Sequence, residues 1–275
     1  MPDRSRAGRP DTDAPTRRAR MSHSDVPSTN FSRADIGLVC ALPLELAEFL
    51  GRCQRVKVYS GGSFKFRGGI YDGIRIAVVE SGVGPWRATR ATQALIDAHQ
   101  PRWIVSTGLA GALSDDVKIG HLVVADRLRN AAGDELSIDI GMTSDSARGL
   151  HVGRLLTVDH MVRTVVEKRS LAAETGALAV DMESFSVATV SRLSKTRFMA
   201  VRAISDDLSE DLPPEVLSLV GETGAVRLGA VLGSLLKRPS SLQDMWRLRE
   251  RATTAATRLA DFLHGIVVQL HQFDS

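Results

Sequence analysis

At 275 residues, with 43% hydrophobic and 24% charged side chains, the chain has the size and balance of one globular α/β domain, which excludes wholesale disorder and a membrane class. Its net charge of +3 belongs to a tail: residues 1–33 hold seven Arg against four Asp, the remaining 28 basic and 28 acidic residues cancel, and no basic face speaks for nucleic acid. Two cysteines, Cys40 and Cys53, support neither a disulfide scaffold nor a zinc spacing. No apolar run of about 18 residues and no apolar signal segment is present, so a cytoplasmic protein is expected.

Residues 1–33 are rich in Arg, Asp, Pro, Ser and Thr and bury too little to offset the entropy of ordering. They are expected to be disordered, leaving residues 34–275 as the folded domain. The run Ile36 to Ala41 reads as a buried strand, and Pro43 suits the first turn of a helix that carries Glu45 near its start. Val56 to Tyr71 alternates, interrupted at Gly61-Gly62 and Gly68-Gly69, and reads as a hairpin of short strands. Ile74 to Val79 is a strand ending in Ser81-Gly82-Val83-Gly84-Pro85, a glycine-rich turn whose backbone N–H groups can meet an anion, a hydroxyl or water, or can simply turn the chain.

A helix from Trp86 to His99 leads to a strand from Trp103 that opens into the small residues Gly108, Ala110 and Gly111, where a ligand could approach backbone. Ile119 to Asp126 reads as a strand, residues 127–150 as a polar loop, and His151 to Val158 as a further strand. Two apolar runs then end abruptly in carboxylates: Ala179-Val180-Asp181-Met182-Glu183, and Phe198 to Ser205 followed by Asp206. Buried parallel strands deliver polar side chains to a sheet's carboxyl edge in this way, and such edges hold ligands. Between them, Ser184 to Leu193 reads as a helix with Ser184 and Ser186 placed as caps. Residues 215–241 form a helical insertion ending in Lys237 and Arg238, and Leu242 to His271 a final amphipathic helix.

The pairing V-D-M-E-S at 180–184 with R-A-I-S-D at 202–206 resembles the nucleoside phosphorylase and nucleosidase superfamily, above all the 5′-methylthioadenosine/S-adenosylhomocysteine nucleosidases. Ile36-Gly37, Ala41 and Glu45 match that family's first motif, and the segment around Gly108 is similar to its N-T-G-S-A-G-G, with Leu109 where serine is usual. The part from Glu183 through the 215–241 helix is similar to hopanoid-associated phosphorylases. The resemblance implies a single-domain three-layer α/β/α fold with a central mixed, largely parallel twisted sheet. It implies cleavage of a purine N-glycosidic bond, most simply hydrolytic release of adenine from a 5′-substituted adenosine. No metal or organic cofactor is implied, and the partner expected is a small purine nucleoside.

By the same resemblance Glu45 is the general base that deprotonates water, and Asp206 the general acid at the leaving purine, its proton retained by desolvation. Glu183 would accept the ribose hydroxyls, with Ser81, Gly82, Gly108, Met161, Val162, Met182 and Ser205 completing the substrate site. Each has a plainer reading beside it: Glu45 as an acidic residue favoured by the helix dipole, Met161 and Val162 as core, Glu183 and Asp206 as buried paired carboxylates. Superfamily phosphorylases hold phosphate with arginine and serine where this chain has Ser106 and Leu109, which favours water as nucleophile. Phosphorolysis, an adenosylated-lipid substrate and a non-catalytic nucleoside-binding module are the alternatives. A homodimer is expected, and the 215–241 stripe is expected to cover core or a subunit interface rather than a membrane. Asp206→Asn is expected to remove turnover and spare the fold.

Overall fold

The computed structural model describes residues 33–219 and 240–273. The tail expected over residues 1–33, save Arg33, and the 215–241 insertion between residues 220 and 239 lie outside the described residues. Strand β1 (Ile36–Cys40), buried throughout, lies parallel between β4 (Ile74–Glu80) and β5 (Trp103–Ala112). Helix α1 (Pro43–Gly51) follows β1, and α2 (Pro85–His99) joins β4 to β5. Strands β2 (Gln54–Gly61) and β3 (Phe64–Tyr71) form the expected hairpin against β4, but Gly68-Gly69 lies inside β3 and does not interrupt it.

The second half corrects the expected loop over residues 127–150. Strand β6 (Leu122–Asn130) runs four residues past Asp126 and turns back through Gly133 into β7 (Glu135–Ser137). Leu128 is buried among Ala125, Leu155 and Ile204, so one apolar residue between two arginines anchors a segment whose composition reads as loop. Strand β8 (Leu150–Thr157), helix α3 (Val165–Thr175), the three-residue β9 (Ala179–Asp181), α4 (Ser184–Leu193) and β10 (Arg197–Asp206) follow. A 3-10 turn (Pro214–Leu219) and the 33-residue α5 (Ser240–Gln272) complete the described chain.

All strands share one mixed sheet, in which parallel pairings join β4, β1, β5 and β10, and again β6, β8 and β9. The path β10-β6-β8-β9-β5 returns on itself, because β10 also pairs with β5, so these five strands close into a ring. Helices α2 and α4 pack against each other on one face of the sheet, and α1 and α5 on the other, giving three layers. On α5 the buried residues Ala255, Leu259, Leu263, Ile266 and Leu270 recur at helical spacing and meet Leu38, Phe49 and Met199. Truncating one of them, such as Leu263, to Ala would cost about 2–5 kcal/mol.

Candidate active site

The carboxyl ends of β1, β4, β5, β9 and β10 bring the candidate residues to one edge of the sheet. Glu45, on the first turn of α1, is buried with both carboxylate oxygens engaged: Leu42 N–H donates to Oε2 at 2.8 Å and Leu109 N–H donates to Oε1 at 3.0 Å. One oxygen thus caps α1, as the helix-start reading expects, and the other faces β5. Burial raises the Glu45 carboxyl above the ordinary carboxylate range, against the lowering pull of those N–H groups and of Arg202.

Gly108 is the point of closest approach. A Cβ there would lie 2.7 Å from Glu45 Oε1 and 3.1 Å from Arg202 Nη1, so glycine is what lets carboxylate and guanidinium both approach the β5 backbone. Arg202 is itself buried in β10, with Nε donating to Asp181 Oδ2 at 2.7 Å and Nη2 to Ser106 Oγ at 3.0 Å. Its Nη1 is buried with no hydrogen-bond partner among the described residues. Burial alone would lower the affinity of this guanidinium for its proton, but the charges of Asp181, Glu183 and Glu45 prevail and raise it.

Glu183 stands between β9 and α4, with Oε2 4.0 Å from Arg202 Nη2. The N–H of Gly84, at the start of α2, donates to Glu183 Oε1 at 2.8 Å, so the glycine-rich turn binds a carboxylate of the protein itself. Burial, reinforced by the charge on Asp181, pushes the Glu183 carboxyl up to about 8. Asp181 is the structural anchor of the group: it accepts from Thr157 Oγ1 at 2.7 Å, from Arg202, and from the N–H of Ser184 at 3.1 Å. It therefore meets the first turn of α4, the role expected of Ser184 and Ser186; the Ser184 hydroxyl lies 3.3 Å from Ser106 Oγ.

Asp206 lies across from Gly111 at the end of β10, and Gly111 in turn pairs with Val180 of β9. Asp206 and the strand leading to Glu183 thus flank the last residues of β5. The sequence foresaw no partner for Asp206, but the ammonium of Lys168, fully buried on α3, lies 2.5 Å from its Oδ2, and Ser205 Oγ donates to Oδ1 at 2.9 Å. Ser81 is buried, its hydroxyl held by the carbonyls of Cys40 and Gly82. Met161 and Met182 are half-buried in the loops before α3 and α4. Val162, expected against a purine, is instead core, packed with Leu113, Leu156 and Val158. His160 is exposed, its ring nitrogens within hydrogen-bond distance of Asp159 and Glu167.

Sequence reasoning gave no part to Arg202, Asp181 or Lys168. An arginine inside Val201-Arg202-Ala203-Ile204 was a readable signal, since a charge in a buried strand requires counter-ions. Lys168, followed by Arg169 on a polar segment, carried none. A cavity of about 1080 Å³ lined by Trp103, Ile138, Met142, Arg197, Met199 and Leu270 lies at the amino ends of β5 and β10 and includes none of Glu45, Asp181, Glu183 and Asp206. Among the described residues no group of His, Cys, Asp and Glu is arranged to hold a metal, and no helix is long and apolar enough to cross a membrane. Cys40 and Cys53 are both free.

The chain is 23% identical over 227 residues to a 5′-methylthioadenosine/S-adenosylhomocysteine nucleosidase of Maridesulfovibrio salexigens, covering 74% of this chain and 98% of the relative. Its fold is similar to that of the same-named enzyme of Neisseria meningitidis solved with methylthio-immucillin-A (TM-score 0.66, 18% identity, 85% and 98% of the two chains). It is also similar to the futalosine hydrolase of Helicobacter pylori (TM-score 0.64, 22% identity, 88% and 100% of the two chains). The family profile described as Phosphorylase superfamily matches residues 35–237, a span that holds every carboxylate of the cluster, and the chain belongs to that superfamily.

Proposed function

We propose that this protein hydrolyses the N-glycosidic bond of a purine nucleoside, releasing adenine from a 5′-substituted adenosine of the methylthioadenosine or S-adenosylhomocysteine type. The observation that carries the reading is the juxtaposition of Glu45 Oε1 with the unpartnered, buried Nη1 of Arg202 at Gly108. A donor and a base that both approach Gly108 suit a water molecule: Nη1 donates to its oxygen while Glu45, raised by burial, takes its proton. The curated relatives named as nucleosidases support the same chemistry.

Breaking C1′–N9 places positive charge on the sugar and negative charge on the base, and a catalyst must stabilise both. In this reading Glu183 meets the ribose hydroxyls, and its charge favours the cationic sugar. Asp206 meets the purine, with Met161, Met182 and Ser205 beside it and the backbone of Ser81, Gly82 and Gly108 around the sugar. Phosphate is the poorer nucleophile here, because the Ser106 hydroxyl is already committed to Arg202 and Ser184. Incubation with methylthioadenosine, with and without phosphate, tests the proposal. Adenine release that needs no phosphate is expected; an absolute phosphate requirement would overturn hydrolysis, and tight binding without product would make the protein a nucleoside-binding module. We also read the protein as a homodimer, an expectation that light scattering on the intact chain tests.

A further inference from the structure

Helix α3 inverts the usual order of burial: Val166 is 80% exposed while Lys168, two residues on, is fully buried. A lysine is held inside only by what its ammonium touches. Here Nζ lies 2.5 Å from Asp206 Oδ2 and 3.0 Å from the carbonyl oxygen of Asp207, both at the end of β10. Its Cε also approaches Gly111, where a Cβ would come within 3.5 Å of it and within 2.9 Å of Asp206 Oδ2. The ammonium is therefore packed behind the carboxyl assigned to the leaving base, and no other basic side chain among the described residues touches that carboxyl.

We propose that Lys168 is a positioning residue that shares one proton with Asp206 and so equips that carboxyl to protonate the departing purine. The inference rests on the reading of Asp206 as the group at the base. As C1′–N9 breaks, its electron pair moves onto the purine and N7 takes a proton from Asp206. That proton is the one Asp206 shares with Lys168 Nζ, so its transfer leaves a carboxylate beside a neutral amine, which is reprotonated from solvent once the base departs. The oxygen of water joins C1′ and its proton goes to Glu45, so the step balances without a further reactant. A lysine can surrender a proton in this way, whereas an arginine holds the same charge and keeps it.

The test compares Lys168→Arg and Lys168→Met with the wild-type protein, measuring adenine release from methylthioadenosine between pH 6 and 10. A parallel measurement compares binding of that nucleoside with binding of its 7-deaza analogue, which lacks the N7 acceptor. In Lys168→Arg, kcat is expected to fall about 100-fold with KM within threefold, the scale of general-acid catalysis. The wild-type preference for the N7-bearing ligand should be lost with it. Should Lys168→Arg fail to fold, Lys168→Met decides: removal of the ammonium should move the alkaline limb of kcat/KM at least one pH unit toward neutrality. A merely structural lysine would instead lower activity uniformly with an unchanged profile. Wild-type cleavage together with an unshifted profile in Lys168→Met, or with a Lys168→Arg enzyme within threefold of wild type, overturns the role of Lys168 and leaves the function standing. A wild-type protein that neither binds nor cleaves the nucleoside overturns both.

Discussion

Substituting Asp206 by Asn should destabilise the fold as well as stop turnover. Sequence reasoning treats the change as isosteric and silent in stability, but in the structure it strips a fully buried ammonium of its counter-ion. Removing one member of a buried ion pair typically costs 3–5 kcal/mol. The Asn amide oxygen can still accept one hydrogen bond from Lys168, and the Asp207 carbonyl remains 3.0 Å from Nζ, so the lower end, about 3 kcal/mol, applies. At roughly 2–4 °C per kcal/mol for a domain of this size, the melting temperature should fall by about 6–12 °C. Adding Lys168→Met removes the stranded charge and should restore most of that loss, giving a coupling of about 2–3 kcal/mol in a double-mutant cycle. Thermal unfolding followed by circular dichroism at pH 7.5 measures all four proteins. A single Asp206→Asn variant melting within 2 °C of wild type would refute the argument that the pair is buried and compensating.

The remaining predictions concern the other carboxylates. Glu45→Gln should lower kcat at least 100-fold, as loss of a general base does, while costing only about 1 kcal/mol of stability because one of two backbone N–H groups keeps its acceptor; steady-state adenine release and melting temperature read the two effects. The Glu183 carboxyl, raised to about 8 from an ordinary value of 4.5, contributes stability that is complete below the ordinary range and lost as the pH rises through about 8. The melting temperature should therefore fall as the pH rises from about 5 to 8 and level off above that, while kcat/KM climbs around pH 8 as the carboxyl ionises, and Glu183→Gln should flatten both curves; a pH-independent wild type would contradict the assignment. Gly108→Ala drives a methyl group to 2.7 Å from Glu45 Oε1 and should displace that carboxylate, with a 10-fold or greater loss of kcat and an overpacking cost of about 1–3 kcal/mol.

Much of this edge of the sheet was legible before any coordinates. Apolar runs that stop at a carboxylate have few uses in a buried strand other than to present it, and Glu45, Glu183 and Asp206 do arrive at neighbouring strand ends. Helix α4 begins and ends where its pattern says. The failures share a cause: they are residues whose environment is supplied from far along the chain. Lys168 looks like any solvated helix lysine until β10, 38 residues on, provides Asp206. The β6–β7 hairpin is too polar to read as strand because its pairing partners, and the cover over Leu128, lie elsewhere in the chain. Val162 was ambiguous because an apolar residue after a strand serves core and ligand equally well, and only the neighbouring Leu113 and Leu156 decide it.

The closure of β5, β10, β6, β8 and β9 on themselves bears on how such a pocket can change over evolutionary time. Staves that bind one another all the way round cannot drift apart singly, so the spacing between Glu183, just past β9, and Asp206, at the end of β10, is inherited from main-chain geometry and resists alteration. Variation enters more readily at exposed side chains such as Leu44, Trp86 and Val166, on the first turns of three helices. Substitution there leaves the strand ends that carry the clustered carboxylates in place.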